Sequence, residues 1–167
     1  MAADRLTRGN GPCRPLGGMI AAIAIILAAG FVCGCGKPPL LEARGRVRLD
    51  GKPLEGCKVG FFPDVERFDP ERHGFGFGIT DAEGRFVIRH PQGEDGIWAG
   101  DYKVTLEAWI DSDGRPVPPD AKPSEVPGGV RNRLPEKYET AGTTPERATI
   151  RKGEGNVFEI EVTSTGS

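Results

Sequence analysis

Between Ala43 and Val162 apolar residues recur at every second position, in short runs separated by Gly, Pro, Asn and Asp. Period two sends successive side chains to opposite faces of an extended chain, so the pattern calls for half-buried strands rather than helices. Ala43, Gly45, Val47 and Leu49 alternate with Arg44, Arg46 and Arg48, a strand with one solvated face. Asp50-Gly51 turns the chain. A second strand opens at Cys57 and runs through Val59 and Phe61 until Pro63 stops it.

The pattern continues after a charged loop from Asp64 to His73. Phe75, Phe77 and Ile79 alternate with Gly74, Gly76 and Gly78, and the apolar set is expected to face the core. An all-glycine face is intrinsically weak, so something covers it closely or the strand bends there. Thr80-Asp81-Ala82-Glu83-Gly84 reads as a turn, with Asp as cap and Gly in the left-handed position. Phe86 and Ile88 follow, and Gly93–Gly100 reads as loop. Tyr102, Val104, Leu106, Ala108 and Ile110 then form the longest alternating run. Residues 111–133 are rich in proline and almost free of apolar side chains, the mark of a long surface loop. Leu134 to Tyr138 packs back. Ala148 and Ile150 with Phe158, Ile160 and Val162 are expected to close the domain as a hairpin around Gly153-Glu154-Gly155-Asn156. About seven strands in roughly 120 residues is the count of a Greek-key β-sandwich, so the fold class is all-β. Phe61, Phe77, Phe86, Tyr102, Val104, Leu106, Phe158 and Ile160 are the expected shared core.

The leader has a different character. Arg5, Arg8 and Arg14 precede an uncharged apolar run from Met19 to Val32. Fourteen residues at a helical rise span about 21 Å, short for a hydrocarbon core of roughly 30 Å. A positive segment followed by a short apolar one is the pattern of a secretory signal peptide. Val32-Cys33-Gly34-Cys35 then resembles the bacterial lipobox, which implies cleavage before Cys35 and acylation of its sulfur. Cys33 is the competing position, but Phe31 and Val32 before it are bulky. More than one acyl chain gives stable membrane anchoring. The expected organisation is a signal peptide over residues 1–34 and a lipidated, tethered segment over 35–41. A β-sandwich follows over 42–163, with a tail at 164–167. Cys13 and Cys33 leave with the leader, so Cys57 is the lone thiol of the mature part and reads as a small core residue.

Several segments carry a resemblance in order and spacing. They are Leu49-Asp50-Gly51-Lys52-Pro53-Leu54, Gly56, Val59 with Phe61 and Pro63, Thr80-Asp81 with Gly84 and Phe86, Gly100-Asp101-Tyr102-Lys103-Val104, Leu134-Pro135-Glu136-Lys137-Tyr138 and Asn156-Val157-Phe158. Together they are similar to bacterial lipoproteins carrying a transthyretin-like (prealbumin-like), carboxypeptidase-regulatory-like domain with an Ig-like sandwich. The resemblance implies a non-catalytic accessory module. It departs from the family pattern at Cys57, where Ala is usual, and in the insert after Ile110.

Chemistry-bearing constellations are scarce. His73 and His90 stand alone, and zinc needs three or four ligands at local spacing. Asp111-Ser112-Asp113-Gly114 resembles the start of a calcium loop without its remaining ligands. No Gly-x-Ser-x-Gly occurs, and Gly74–Gly78 has no helix after it to make a phosphate cradle. No enzymatic activity, metal or cofactor is therefore expected. The formal charge of −2 with both signs scattered argues against nucleic acid as a partner. Two readings remain. In one, the chain is a structural or protein-interaction module, exported and anchored to a membrane through Cys35, facing the periplasm or the cell surface. In the other it binds carbohydrate or another envelope ligand through Trp109 and the long loop, since Trp109 has outward parity on its strand. The bland alternative is that Trp109 lies beneath that loop as a satellite core.

Overall fold

The computed structural model describes residues 38–118 and 121–164. Cys35, like Cys13 and Cys33, lies outside the described residues. Residues 37–167 form one compact unit. Among the described residues there is no α-helix, only short 3-10 turns at Pro123–Glu125 and Glu136–Tyr138, and none long or apolar enough to cross a membrane.

The first strand, β1 (Ala43–Leu49), buries Ala43, Val47 and Leu49 and turns its arginines outward, as its alternation demands. Asp50 and Gly51 both take positive φ, 51° and 77°. That is the requirement of a two-residue hairpin turn, and it lays the short β2 (Lys52–Pro53) antiparallel against the end of β1. Thereafter the chain passes to a second sheet through β3 (Lys58–Pro63) and β4 (Gly76–Ile79), and returns to the first in β5 (Arg85–Val87). Asp81 caps the turn between them by accepting the N–H groups of Glu83 and Arg85 at 3.0 and 2.8 Å, with Gly84 at φ 76°. The sixth strand, β6 (Gly100–Glu107), lies between β3 and β9 (Arg147–Ile150), and β10 (Asn156–Val162) runs parallel to β1. One four-stranded sheet has the order β4-β3-β6-β9; the other has β1 flanked by β10 on one side and by β2 and β5 on the other. The architecture is all-β and sandwich-like.

The core lies between the inner faces. Phe61 is its centre, with ring centroids 5.9 Å from Tyr102 in its own sheet and 6.4 and 5.6 Å from Phe86 and Phe158 in the other. Val104, Leu106 and Ile160 are buried as expected, and Phe158 is partly buried against the cluster. Ile97, assigned to a loop on sequence, is fully buried because Leu41 and Ile97 exchange backbone hydrogen bonds at 2.8 and 2.9 Å. Cys57 is buried at 0 % exposure, with its N–H donating to Thr80 Oγ1 at 2.8 Å. The Thr80 hydroxyl in turn donates to the Leu54 carbonyl at 2.5 Å.

Three expectations are corrected. Phe77 does not belong to the core: in β4 the glycines face inward, while Phe75 and Ile79 are exposed and Phe77 is half-buried on the outer face. A Cβ at Gly76 would come within 2.5 Å of Ile88 Cγ2, and one at Gly78 within 2.6 Å of the Val87 carbonyl oxygen. The crossing from one sheet to the other is too tight for a side chain, so the glycine face is the covered one. The closing pair is not a hairpin either, because β9 bonds to β6 and β10 to β1, in different sheets. Finally, residues 111–133 are not structureless. The long run breaks at Ala108, whose N–H donates to Asn132 Oδ1 at 3.0 Å. A small ribbon of β7 (Trp109–Ile110) and β8 (Arg131–Asn132) then leaves the main sheets.

Candidate functional site

Pairing register puts two contrasting rows side by side on the outer face of the β1 sheet. Val87 and Val157 flank Arg44, and Arg85 and Glu159 flank Arg46. The β4–β5 hairpin extends the surface, since Phe77 and Arg89 exchange backbone hydrogen bonds at 2.9 and 2.8 Å and Asp81 N–H donates to the Arg85 carbonyl at 2.8 Å. That register brings Ile79 across from Val87. The result is a groove of about 730 Å³ with Ile79, Val87 and Val157 on one row and guanidinium groups on the next. These three aliphatic side chains are 54 %, 42 % and 54 % exposed. Each taken singly is unremarkable on a protein surface; three converging on one concavity point to a contact site.

The arginines differ in their commitments. Arg44 pairs with Glu42 at 2.7 Å, Arg89 with Asp95 at 3.0 Å, and Arg85 with both Asp81 at 3.1 Å and Glu83 at 2.8 Å. The Arg85 N–H groups, backbone first, hold the Asp81 carboxyl below the usual carboxylate range. The Arg46 guanidinium has no hydrogen-bond or ion-pair partner among the described residues, and its Nε is sealed from solvent without an acceptor. A buried donor left unpaired costs about 1–3 kcal/mol. Glu159 is its neighbour across the ladder and still does not pair with it.

A second apolar surface covers the outer face of the other sheet. Phe62 stacks on Phe75 at 6.5 Å and meets Phe77 edge-on at 5.8 Å, and Phe68 lies 6.5 Å from Phe75. Lys58 Nζ sits 5.2 Å above the Phe77 ring. This cluster roofs Gly60 and Thr105, which explains why Thr105 is buried on an outward face.

The residues singled out on sequence fall elsewhere. Trp109 is half-buried on the β7–β8 ribbon, its indole N–H donating to Glu107 Oε2 at 3.2 Å, and it does not line the groove. His73 Nδ1 accepts the Asp69 N–H at 2.9 Å, and the His90 ring lies 5.9 Å from Trp98, so each braces its own loop. Asp111 Oδ1 accepts the N–H groups of Asp113 and Arg115 in a polar turn. Among the described residues no three His, Cys, Asp or Glu side chains gather as metal ligands would. Burial pushes the Cys57 thiol up to about 12, which leaves almost no thiolate at neutral pH. The groove was missed because Arg44 and Arg46 read as an ordinary solvated face. Its one legible sign was the valine of Arg85-Phe86-Val87 and of Asn156-Val157-Phe158, apolar at positions whose parity points out.

No protein-family profile matches this chain, and no curated protein matches it. Among solved structures, a 9R-lipoxygenase from Cyanothece PCC8801 aligns at 16 % identity with a TM-score of 0.31, over 85 % of this chain and 20 % of that one. The chain spans a fifth of that enzyme's length. A likeness of this size supports no statement about fold or activity.

Proposed function

We propose that this chain is a non-catalytic binding module of the bacterial cell envelope, anchored by acyl chains on Cys35 after removal of residues 1–34. The domain is then a Greek-key sandwich of the transthyretin-like kind that presents its surfaces to a partner in the envelope. The observation that carries the binding role is the groove: exposed Ile79, Val87 and Val157 beside guanidinium groups, at a place where no fold requirement asks for apolar side chains. The apolar run Met19–Val32 and the Gly34-Cys35 junction support the anchoring. Carbohydrate binding through Trp109 is the second reading, supported by a ring that is only half-buried beside the long loop.

Two measurements test the proposal. In cells fed labelled palmitate, the native chain takes up label and fractionates with membranes, and Cys35→Ser does neither. Label retained in Cys35→Ser and lost in Cys33→Ser would move the anchor. For the binding role, detergent-solubilised membranes are compared between the native chain and the Val87→Glu/Val157→Glu double variant. Species lost with the double variant are groove ligands, while identical co-purification profiles would remove the groove from the function. A red-shifted tryptophan emission that moves on adding sugar would favour the second reading.

A further inference from the structure

We infer that the groove between β4–β5 and β10 binds an anionic amphiphile, a single alkyl or acyl chain bearing a phosphate or carboxylate head. The inference deepens the binding role proposed above and does not need the anchor at Cys35. Three features carry it.

The first is the division of the groove into rows. Ile79, Val87 and Val157 form an apolar track across the sheet, interrupted only by the aliphatic stem of Arg44, and Phe77 and Phe86 also line the groove. Three strand spacings of about 4.8 Å make that track about 14 Å long, the scale of a medium alkyl chain rather than of a sugar or a nucleotide base. Long arginine side chains lay their methylenes along such a track and keep the charge at its margin.

Charge is the second. Arg44, Arg46, Arg85 and Arg89 face two lining carboxylates, Asp81 and Glu159. Arg44, Arg85 and Arg89 are committed to Glu42, to Asp81 and Glu83, and to Asp95. The guanidinium open to a ligand is therefore that of Arg46, between the apolar row and the Glu159 carboxylate, which is unpaired among the described residues. A planar guanidinium suits the oxygens of a phosphate or carboxylate in a way an ammonium does not. The third feature is the orphaned Nε of Arg46. A small shift of this side chain toward an anion in the groove gives that donor an acceptor, while the tail covers exposed aliphatic surface. The volume, about 730 Å³, is within the range of roughly 300–1,000 Å³ typical of small-molecule sites.

The test uses the lipid-free unit of residues 37–167, which carries its own core. Dodecyl phosphate, below its micelle concentration, is titrated while backbone amide shifts are followed by NMR. Inorganic phosphate, dodecyl maltoside and dodecyltrimethylammonium serve as head-only, neutral and cationic controls. Expected are saturable shifts confined to the amides around Arg44–Arg46, Val87 and Val157, and a dissociation constant at least tenfold lower than that of any control. Arg46→Gln and, separately, Val87→Ser/Val157→Ser weaken it tenfold or more while leaving the remaining spectrum in place. Equal affinity for dodecyl maltoside, or no loss in Arg46→Gln, would overturn the assignment of an anionic head. Binding to phosphatidylglycerol vesicles without binding to monomeric dodecyl phosphate would make this face a bilayer-contact surface and overturn the single-molecule site. A failed palmitate experiment leaves all of these outcomes readable, because this unit lacks Cys35.

Discussion

Cys57 shows how a single side chain reports on both packing and chemistry. It sits at the mouth of β3, fully buried, and its main chain is tied to Thr80, which itself is tied to Leu54. Burial pushes its thiol from 9.0 to about 12, so between these values the unfolded chain ionises and the folded one does not. Unfolding then releases a proton, and stability falls as pH rises, by up to about 1.4 kcal/mol per pH unit for this group. Burial likewise pushes the Tyr102 phenol up to about 12, which adds to the loss above about pH 10. Replacing Cys57 with Ala is expected to cost about 1 kcal/mol at pH 8 and to remove the first part of this slope. Urea midpoints at pH 8, 9 and 10 should show the gap between native and Cys57→Ala domains closing by about 1 kcal/mol. A gap that stays constant would mean the thiol titrates normally. The native domain should also resist a thiol reagent until it is denatured, whereas rapid labelling would place the side chain at the surface. Much of this was legible from alternation alone, since Cys57, Val59 and Phe61 share parity. The Thr80 clamp was not, because a buried hydroxyl with two backbone partners leaves no periodic trace.

At the scale of elements, alternation says which residues share a face but not which face is inside, and β4 shows the difference. Phe75, Phe77 and Ile79 against three glycines look like a core strand with a bare back. The crossing between sheets reverses this: Gly78 lies against the Val87 main chain and Gly76 under Ile88, and the aromatic rings turn outward to meet Phe62, Phe75 stacked and Phe77 edge-on. Elsewhere the inner face was correctly legible, as in β1, β3 and β6, where the opposite parity holds arginine, lysine or glutamate to decide the matter. The same ambiguity hid the pairing of β9 and β10, since a short Gly-rich connection serves a hairpin and a sheet-to-sheet corner equally well. Truncation separates the two parities of β4. Phe77→Ala should cost only about 1 kcal/mol, the ordinary cost of a half-exposed position. Phe86→Ala, from the packed centre, should cost about 3–5 kcal/mol. Gly78→Ala forces a methyl against the Val87 backbone and should cost about 1–3 kcal/mol despite adding apolar volume. Chemical denaturation of the three variants checks the order; a Phe77 cost equal to that of Phe86 would return Phe77 to the core.

Over the whole molecule, the two main sheets share one core, and the β7–β8 ribbon does not belong to it. Ile110 and Val117 are buried, at 7 % and 8 % exposure, yet both stand outside the central cluster. The ribbon is held by Ala108 N–H on Asn132 Oδ1, Arg133 N–H on the Ala108 carbonyl at 2.8 Å and Val117 N–H on the Trp109 carbonyl at 2.9 Å. A segment with few apolar contacts and a handful of hydrogen bonds opens at a lower free energy than the strands around Phe61. The amides of Ala108, Val117 and Arg133 should therefore exchange with solvent deuterium at least tenfold faster than those of Val59, Val104 and Leu106. Adding denaturant should bring the two sets together only near the global midpoint. Trp109 follows the ribbon, so in a Trp98→Phe background its emission should shift before far-UV circular dichroism changes. Sequence could show that residues 111–133 stand apart in composition, but not that Asn132 reaches back to interrupt the longest strand, because one side-chain amide capping a distant backbone has no signature in spacing. If the slow and fast amides proved equally protected, the ribbon would be part of the cooperative unit. Trp109 would then be a structural residue of the domain, and the carbohydrate reading would lose the residue it depends on.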